Sequence, residues 1–296
     1  MFDWEIHRSM NFMFSRDSSA GWLIFYKPLR FLRIFYTAMF LTAASWVADL
    51  CYNFKPIAGE ILWPVLWLPL DWAQVIVRVL SLVFLLLVLA VLLSPKYRVI
   101  RILVALVYFV LWAAYYSQGH AIGHAFHGWI YTSWFLSLVS FSDKRLVNRR
   151  RNMLCIWAAQ ALFLGTYFLA GLAKVKSLLL EIGSDSNWWA NLGSTAHYYF
   201  VAKILERGDS SWLTSPAGDF LSDNNGLLGV LVWVGVMGFE CSALAVVFRP
   251  KWLRFWGVLQ VLFHTLAYVI LKINFLPAVV LAVLILIYPP LRQAQK

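Results

Sequence analysis

Charge is what this chain has least of. Charged residues occupy 13% of its 296 positions and hydrophobic residues 61%. A soluble globular domain is about a quarter charged and roughly half apolar, so the composition argues against a water-soluble fold. Cysteine is also scarce. Cys51, Cys155 and Cys241 are scattered and form no CxxC pair, which removes support for thiol–disulfide chemistry or a cysteine-ligated metal. All three read as small packing residues. No phosphate loop, nucleophile elbow or HExxH motif occurs, so nucleotide-driven and serine-hydrolase mechanisms have nothing to rest on. Met1 to Asn11 mixes polar and apolar residues without an apolar core; no cleavable signal peptide is expected, and the first spanning helix directs insertion. There is no internal repeat and no low-complexity tract.

What is present is a succession of apolar runs long enough to span lipid, where about 20 residues cross the hydrocarbon core. They predict an all-α polytopic membrane bundle with spans near 31–52, 73–94, 99–117, 127–142, 153–174, 227–248, 252–271 and 273–289. The fourth is short and reads as tilted or partly re-entrant. The seventh and eighth are nearly continuous, joined by a tight turn at Lys272–Asn274. Residues 1–30 place Trp4, Phe12, Phe14, Trp22 and Phe25 among Arg8, Arg16 and Lys27, the pattern of an amphipathic helix lying on the inner leaflet.

The net charge of +11 belongs to this topology and not to nucleic acid, since no base-stacking motif or basic helix accompanies it. Most of the 25 basic residues fall at alternate ends of the spans: Arg30 and Arg33, then Lys96, Arg98 and Arg101, then Lys144 to Arg151, then Arg249 to Arg254, then Arg292 and Lys296. Basic residues flank helices on the cytoplasmic side. The alternation predicts eight spans with both termini cytoplasmic, in a bacterial inner membrane, and a single domain over 1–296. Residues 175–225 then form an extracytoplasmic cap. Its Trp188, Trp189, Tyr198 and Tyr199 read as interfacial anchors.

Ionisable groups within lipid-spanning helices are costly, so they face the bundle interior and mark candidate sites. Asp49, Arg78, Lys174, Glu240 and His264 qualify. Lys174 ends the apolar run Tyr167-Phe168-Leu169-Ala170-Gly171-Leu172-Ala173-Lys174. It either snorkels to the interface or is held neutral by apolar surroundings and serves as a general base. Gly165, Ala170 and Gly171 permit close helix packing beside it. Glu240 and His264 lie mid-span, where a buried Glu–His or Glu–Lys pair is the least costly way to carry them. Asp49 and Arg78 are expected to satisfy each other. Most of these groups, with the loop histidines, lie near the outer ends of their spans and therefore at one depth.

His120, His124 and His127 follow at i, i+4 and i+7, one face of a helix. That spacing suits a three-histidine metal site completed by Glu240 or His264, interfacial polar histidines, or a proton-relay role, best at His127. A membrane di-iron centre needs more histidines than the chain has. No metal is expected.

The run ending in Lys174 resembles the segment that carries the catalytic base lysine of vitamin K-dependent gamma-carboxylases and of the broader HTTM (horizontally transferred transmembrane) family. His127-Gly128 opening a span that leads to Phe141, Glu240 at mid-helix, and His264 followed by Ile273-Asn274-Phe275 resemble further family features in the same order. The resemblance covers about residues 25–290. It implies a reduced lipid quinone as co-substrate. In the carboxylase a buried lysine deprotonates vitamin K hydroquinone, oxygen adds, the quinol becomes an epoxide, and the strong base formed removes a proton from a glutamate that then takes up carbon dioxide. Carried over, Lys174 is the base, His127 and His264 orient the quinol oxygens, and Glu240 holds a proton or a histidine. His120, His124, Tyr167 and Trp188 are expected to line the cofactor site. An apolar pocket keeps water from quenching the reactive species.

Two departures limit the parallel. The carboxylase has a large lumenal part where this chain has only 175–225, and Ala173 stands where the carboxylase carries a second lysine. Quinol chemistry acting on a small peptide or protein from the extracytoplasmic side is therefore the first expectation. The second is a non-catalytic membrane partner or maturation factor for a secreted peptide. The third is a histidine–metal oxidoreductase. Membrane lipids are expected partners and nucleic acid is not.

Overall fold

A computed structural model describes residues 23–25, 28–54, 70–117, 124–141, 146–184, 225–249, 252–271, 275–288 and 291–293. The helices are α1 (Pro28–Asn53), α2 (Leu70–Leu93), α3 (Arg98–Tyr116), α4 (His124–Ser137), α5 (Leu146–Ser184), α6 (Asn225–Val247), α7 (Leu253–Leu271) and α8 (Leu276–Ala282). A π-helical turn over Val283–Ile287 continues α8. Strands β1 (Leu23–Phe25) and β2 (Leu291–Gln293) pair antiparallel, with Ile24 opposite Arg292. Among the described residues the fold is all-α apart from this ribbon.

Among the described residues, four helices are long and apolar enough to cross a membrane: α1, the Trp72–Leu93 part of α2, α3, and the Arg151–Leu180 part of α5. Their surfaces agree. On α2, Val75, Val79, Leu82, Leu86, Leu89 and Leu93 recur in steps of three and four residues and are all exposed. In water such a stripe would be polar; a continuous apolar outer face suits hydrocarbon as the solvent. The inner stripe, Val77, Phe84, Val88 and Val91, is fully buried, and Ser81 among them donates its hydroxyl to Val77 O at 2.9 Å. The chain is a helical membrane protein.

From α1 to α6 each helix packs against the next, α7 packs on α8 and the π turn, and α8 returns to α4 and α1. The return is specific. The Trp129 indole donates to Pro277 O at 2.8 Å, and a Cβ at Gly128 would run into the Phe163 ring and into Leu281. Glycine there lets α4 lie against both α5 and α8. Gln160 on α5 donates to Ile285 O at 2.6 Å inside the π turn. Such turns leave carbonyls out of the regular ladder, and this side chain takes one of them up.

The basic first turn of α3 contains an unexpected core residue. Arg101, placed by the sequence at a cytoplasmic helix end, is fully buried. Its guanidinium donates to Pro95 O, to Ser137 O at 3.2 Å and to Val139 O, and it sits 5.0 Å from the centroid of the Phe141 ring. Ser137 ends α4; the amides of Leu138 and Val139 take up the Phe135 and Leu136 carbonyls, and the arginine caps those of Ser137 and Val139. Asn152 supports the same segment, donating to Ser140 O at 2.7 Å and accepting from Ser140 N at 2.8 Å.

Several expected boundaries move. The interfacial helix over 1–30 does not reach its predicted end: Leu23–Phe25 is a strand and α1 begins at Pro28. Proline suits the first helical position, and α1 begins on one. Residues 1–22 lie outside the described residues, as does the turn at Lys272–Asn274. The fifth span does not stop at Lys174; α5 runs on to Ser184, taking the first part of the supposed cap into the helix. α4 ends at Ser137, before the expected 142, and is 14 residues long. Asp49 and Arg78 do not pair. Arg78 Nε donates to Cys51 O at 2.9 Å, and Asp49 accepts from Asn53 Nδ2 at 2.9 Å; each finds a nearer partner.

Candidate functional site

The buried face of α5 carries Gln160, Phe163, Tyr167, Gly171 and Lys174, spaced by three and four residues and therefore stacked along one side. Gly171 sets the approach of α6. A Cβ there would lie 2.9 Å from Cys241 N and 3.0 Å from Glu240 Cβ, so only glycine admits the α6 backbone at this point. Lys174 follows one turn later, and its Nζ meets Glu240 Oε2 at 2.6 Å. The close helix contact places the two charges in reach of each other. Gly165, also expected to serve packing, faces open space.

The pair is asymmetric. Glu240 is 8% exposed at its side chain and Lys174 27%. A carboxylate buried that deeply needs a partner, while a lysine can keep part of its stem and head in a polar surrounding. Lys174 was expected at the outer end of its span and Glu240 nearer mid-membrane; the ion pair brings them to one level.

About 10 Å further along α5, by 1.5 Å per residue, the Tyr167 hydroxyl lies 2.8 Å from His264 Nε2 on α7. Both residues are buried. His264 is walled by Phe275, 4.4 Å between ring centroids, and by Phe263. Trp256 stands one α7 face below: it stacks on Phe239 at 4.8 Å, meets Tyr167 edge-on at 5.5 Å, and donates its indole N–H to Ser242 Oγ at 3.0 Å. These contacts tie α6 and α7 together around Glu240. Gln260, one turn before His264, is fully buried and lies close to Tyr167, yet neither Nε2 nor Oε1 has a partner at hydrogen-bonding geometry.

Of the residues singled out by sequence, Lys174, Glu240, Tyr167 and His264 are thus assembled from three helices into one neighbourhood. The arrangement supplies an ammonium–carboxylate pair able to pass a proton between nitrogen and oxygen, and a hydroxyl–imidazole pair two turns away on the same face of α5. His127 belongs to another aromatic group, 5.2 Å from Trp112 and 6.5 Å from Tyr131. Its chain neighbour Gly128 packs on Phe163, which meets Tyr167 edge-on at 5.3 Å. His124 opens α4, and its side chain lies outside the described residues, as do His120 and Trp188. Among the described residues no group of three or more His, Cys, Asp or Glu is arranged to hold a metal.

Sequence reasoning missed Gln260 and Trp256. The spacing Trp256, Gln260, His264 in steps of four was the available signal, because a glutamine in line with a mid-span histidine shares its buried face. Comparison with known protein families, with characterised proteins and with solved structures finds no match to this chain.

Proposed function

We propose that the protein is an HTTM-type membrane enzyme related in mechanism to vitamin K-dependent gamma-carboxylase, acting on a reduced lipid quinone with Lys174 as general base. The observation that carries this reading is the Lys174–Glu240 pair on the same α5 face as Tyr167–His264, in a neighbourhood rich in aromatic rings. The donor set fits a hydroquinone: ring faces for the ring, and groups that accept or donate at a hydroxyl. When bound, the quinol supplies an acidic O–H and, with oxygen as oxidant, the electrons for the overall reaction.

The chain's own part is proton handling. Transfer of a proton from Nζ to Oε2 leaves a neutral amine and a neutral acid, so the pair stays neutral overall. The amine then takes the hydroxyl proton: an O–H bond breaks, an N–H bond forms, and the electron pair remains on the ring oxygen. Tyr167 and His264 orient that oxygen. The aromatic wall of Phe239, Trp256 and Phe275 limits water, which strengthens these interactions. The eight-span arrangement with both ends on the cytoplasmic side of a bacterial inner membrane belongs to the same proposal. The pairing of β1 with β2, which holds the two terminal segments together, supports an even number of crossings.

The test is quinol-dependent oxygen uptake by the purified protein in lipid, with Lys174→Ala beside wild type. Uptake that depends on Lys174 is the expected result; no uptake with any lipid quinol would reject the reading. One observation favours a second reading, a non-catalytic membrane partner or maturation factor for a secreted peptide: the 2.6 Å pair also closes the α5–α6 contact as a purely structural tie. Cross-linking to a peptide with no quinol chemistry would support that alternative.

A further inference from the structure

Two buried glutamines face the centre of the bundle, and they differ. Gln160 spends its amide nitrogen on Ile285 O, an internal structural bond. Gln260 is fully buried against Tyr167, and neither end of its amide meets a partner at full hydrogen-bonding geometry. Leaving a buried polar group unmade costs about 1–3 kcal/mol, and native proteins satisfy more than nine in ten of them. A carboxamide held this way beside Tyr167, one turn from His264 and one turn from Trp256, has donor and acceptor ready for something that arrives from outside the chain. A hydroxyl, which both donates and accepts, matches both halves of the amide. The flanking rings of Trp256 and Phe275 match an apolar ring carrying that hydroxyl.

We propose that Gln260 is the specificity residue of the Tyr167–His264 neighbourhood, recognising a ring hydroxyl of the bound hydroquinone and discriminating against ring ethers and other molecules that lack the O–H. This rests on the reading of the pocket as a hydroquinone site. Lys174 and Glu240 handle the proton; Gln260 decides which rings are held where the lysine can reach them. A site built to hydrogen-bond a hydroxyl rejects the analogue without it, because its own buried amide is then left unmade.

The test uses the full chain in lipid nanodiscs under anaerobic conditions. Dissociation constants are measured by calorimetry for 2-methyl-1,4-naphthohydroquinone and for its dimethyl ether, with wild type and Gln260→Met, a substitution of similar shape without the amide. Wild type is expected to prefer the hydroquinone, and Gln260→Met to lose about fivefold of that preference, the equivalent of one ordinary hydrogen bond. The ligand-free variant is expected to melt at the same temperature or higher, since an unpartnered amide has no internal bond to lose. A preference unchanged in Gln260→Met would overturn the proposal and leave an ordered water as the amide's partner, with the hydroquinone site intact. A lower melting temperature in the ligand-free variant would also overturn it, by showing that Gln260 is structural. Wild type that binds neither ring would overturn the proposal and the hydroquinone reading together. Binding without oxygen uptake would remove the catalytic reading alone and leave the role of Gln260 supported.

Discussion

Among the described residues, Arg101 and Lys174 carry positive charge into the bundle, and they are handled in opposite ways. Arg101 has no exposed surface and places its guanidinium on backbone carbonyls at Pro95, Ser137 and Val139. Lys174 keeps 27% of its side chain exposed and meets one carboxylate oxygen of Glu240. The planar, permanently charged guanidinium offers five donors in a fixed fork, whereas the ammonium is a compact charge on a flexible stem that gives up its proton more readily. The first suits a permanent joint between helix ends. The second suits a group that moves a proton. A buried charge by itself therefore does not mark chemistry; its partners, and whether they can accept its proton, do.

The sharpest way to break this comparison is to remove the joint. Arg101→Leu strands three carbonyls at the α2–α3 turn and the α4 end, and a loss of about 3–5 kcal/mol is expected, the scale for disrupting a buried charged network. Little monodisperse protein should survive detergent extraction. Arg101→Lys should fail nearly as badly, because an ammonium cannot reach three divergent carbonyls at once. A lysine variant that folds like wild type would mean that charge alone, and not the fork, holds the joint.

Next in size is an asymmetry within the ion pair. Lys174→Met leaves Glu240 buried without a cation, for which about 2–4 kcal/mol is expected. Glu240→Gln leaves a lysine that can redirect toward the polar side it already touches, and about 1 kcal/mol is expected. The double variant should regain most of the loss seen with Lys174→Met alone. Thermal unfolding of the four proteins in one lipid or detergent completes the cycle. Equal losses from the two single variants would show that exposure does not govern the pair, and the contrast with Arg101 would weaken.

Much of this arrangement was legible before the fold. Apolar runs and alternating basic flanks exposed a helical membrane protein because hydrocarbon demands both. The candidates Lys174, Glu240 and His264 were found because ionisable groups are rare in such helices, and Tyr167 through the family-like run that ends in Lys174. Arg101 was misplaced because a basic residue near a helix end reads as an interfacial charge, and only the return of the α4 end beside α3 makes it a cap. Asp49 and Arg78 were paired on charge, while the local carbonyl of Cys51 and the amide of Asn53 were nearer. The extent of α5 was cut short because Lys174 and Lys176 look like the end of a span; the helix continues through them to Ser184, with Leu179 and Leu180 exposed.

Gly171 connects the lysine to its acid, and it is the next point to press. Gly171→Ala puts a methyl group 2.9 Å from Cys241 N and 3.0 Å from Glu240 Cβ. Backbone cannot yield as a flexible side chain can, so α6 must shift. Overpacking of this kind costs about 1–3 kcal/mol. Gly165→Ala, where no atom lies within 4 Å, is the matched control and should be neutral or slightly stabilising, since alanine favours helix. If both substitutions behave alike in thermal unfolding, the close α5–α6 approach is not what seats Glu240 beside Lys174.

The smallest effect is expected at Tyr167, which shares the burial of Arg101 and the neighbourhood of Lys174. Tyr167→Phe removes one hydroxyl and its 2.8 Å contact with His264, for about 0.5–1.5 kcal/mol of stability. The ring remains, so its edge-on contacts with Phe163 and Trp256 remain. A purely structural hydroxyl would lower the melting temperature by that small amount and leave oxygen uptake per folded molecule unchanged. A hydroxyl that orients the reacting ring would lower uptake about tenfold or more at the same modest stability loss, because a misplaced reactant loses rate far out of proportion to the bond removed. Measuring both quantities on one variant assigns Tyr167 either to the architecture, with Arg101, or to the chemistry, with Lys174.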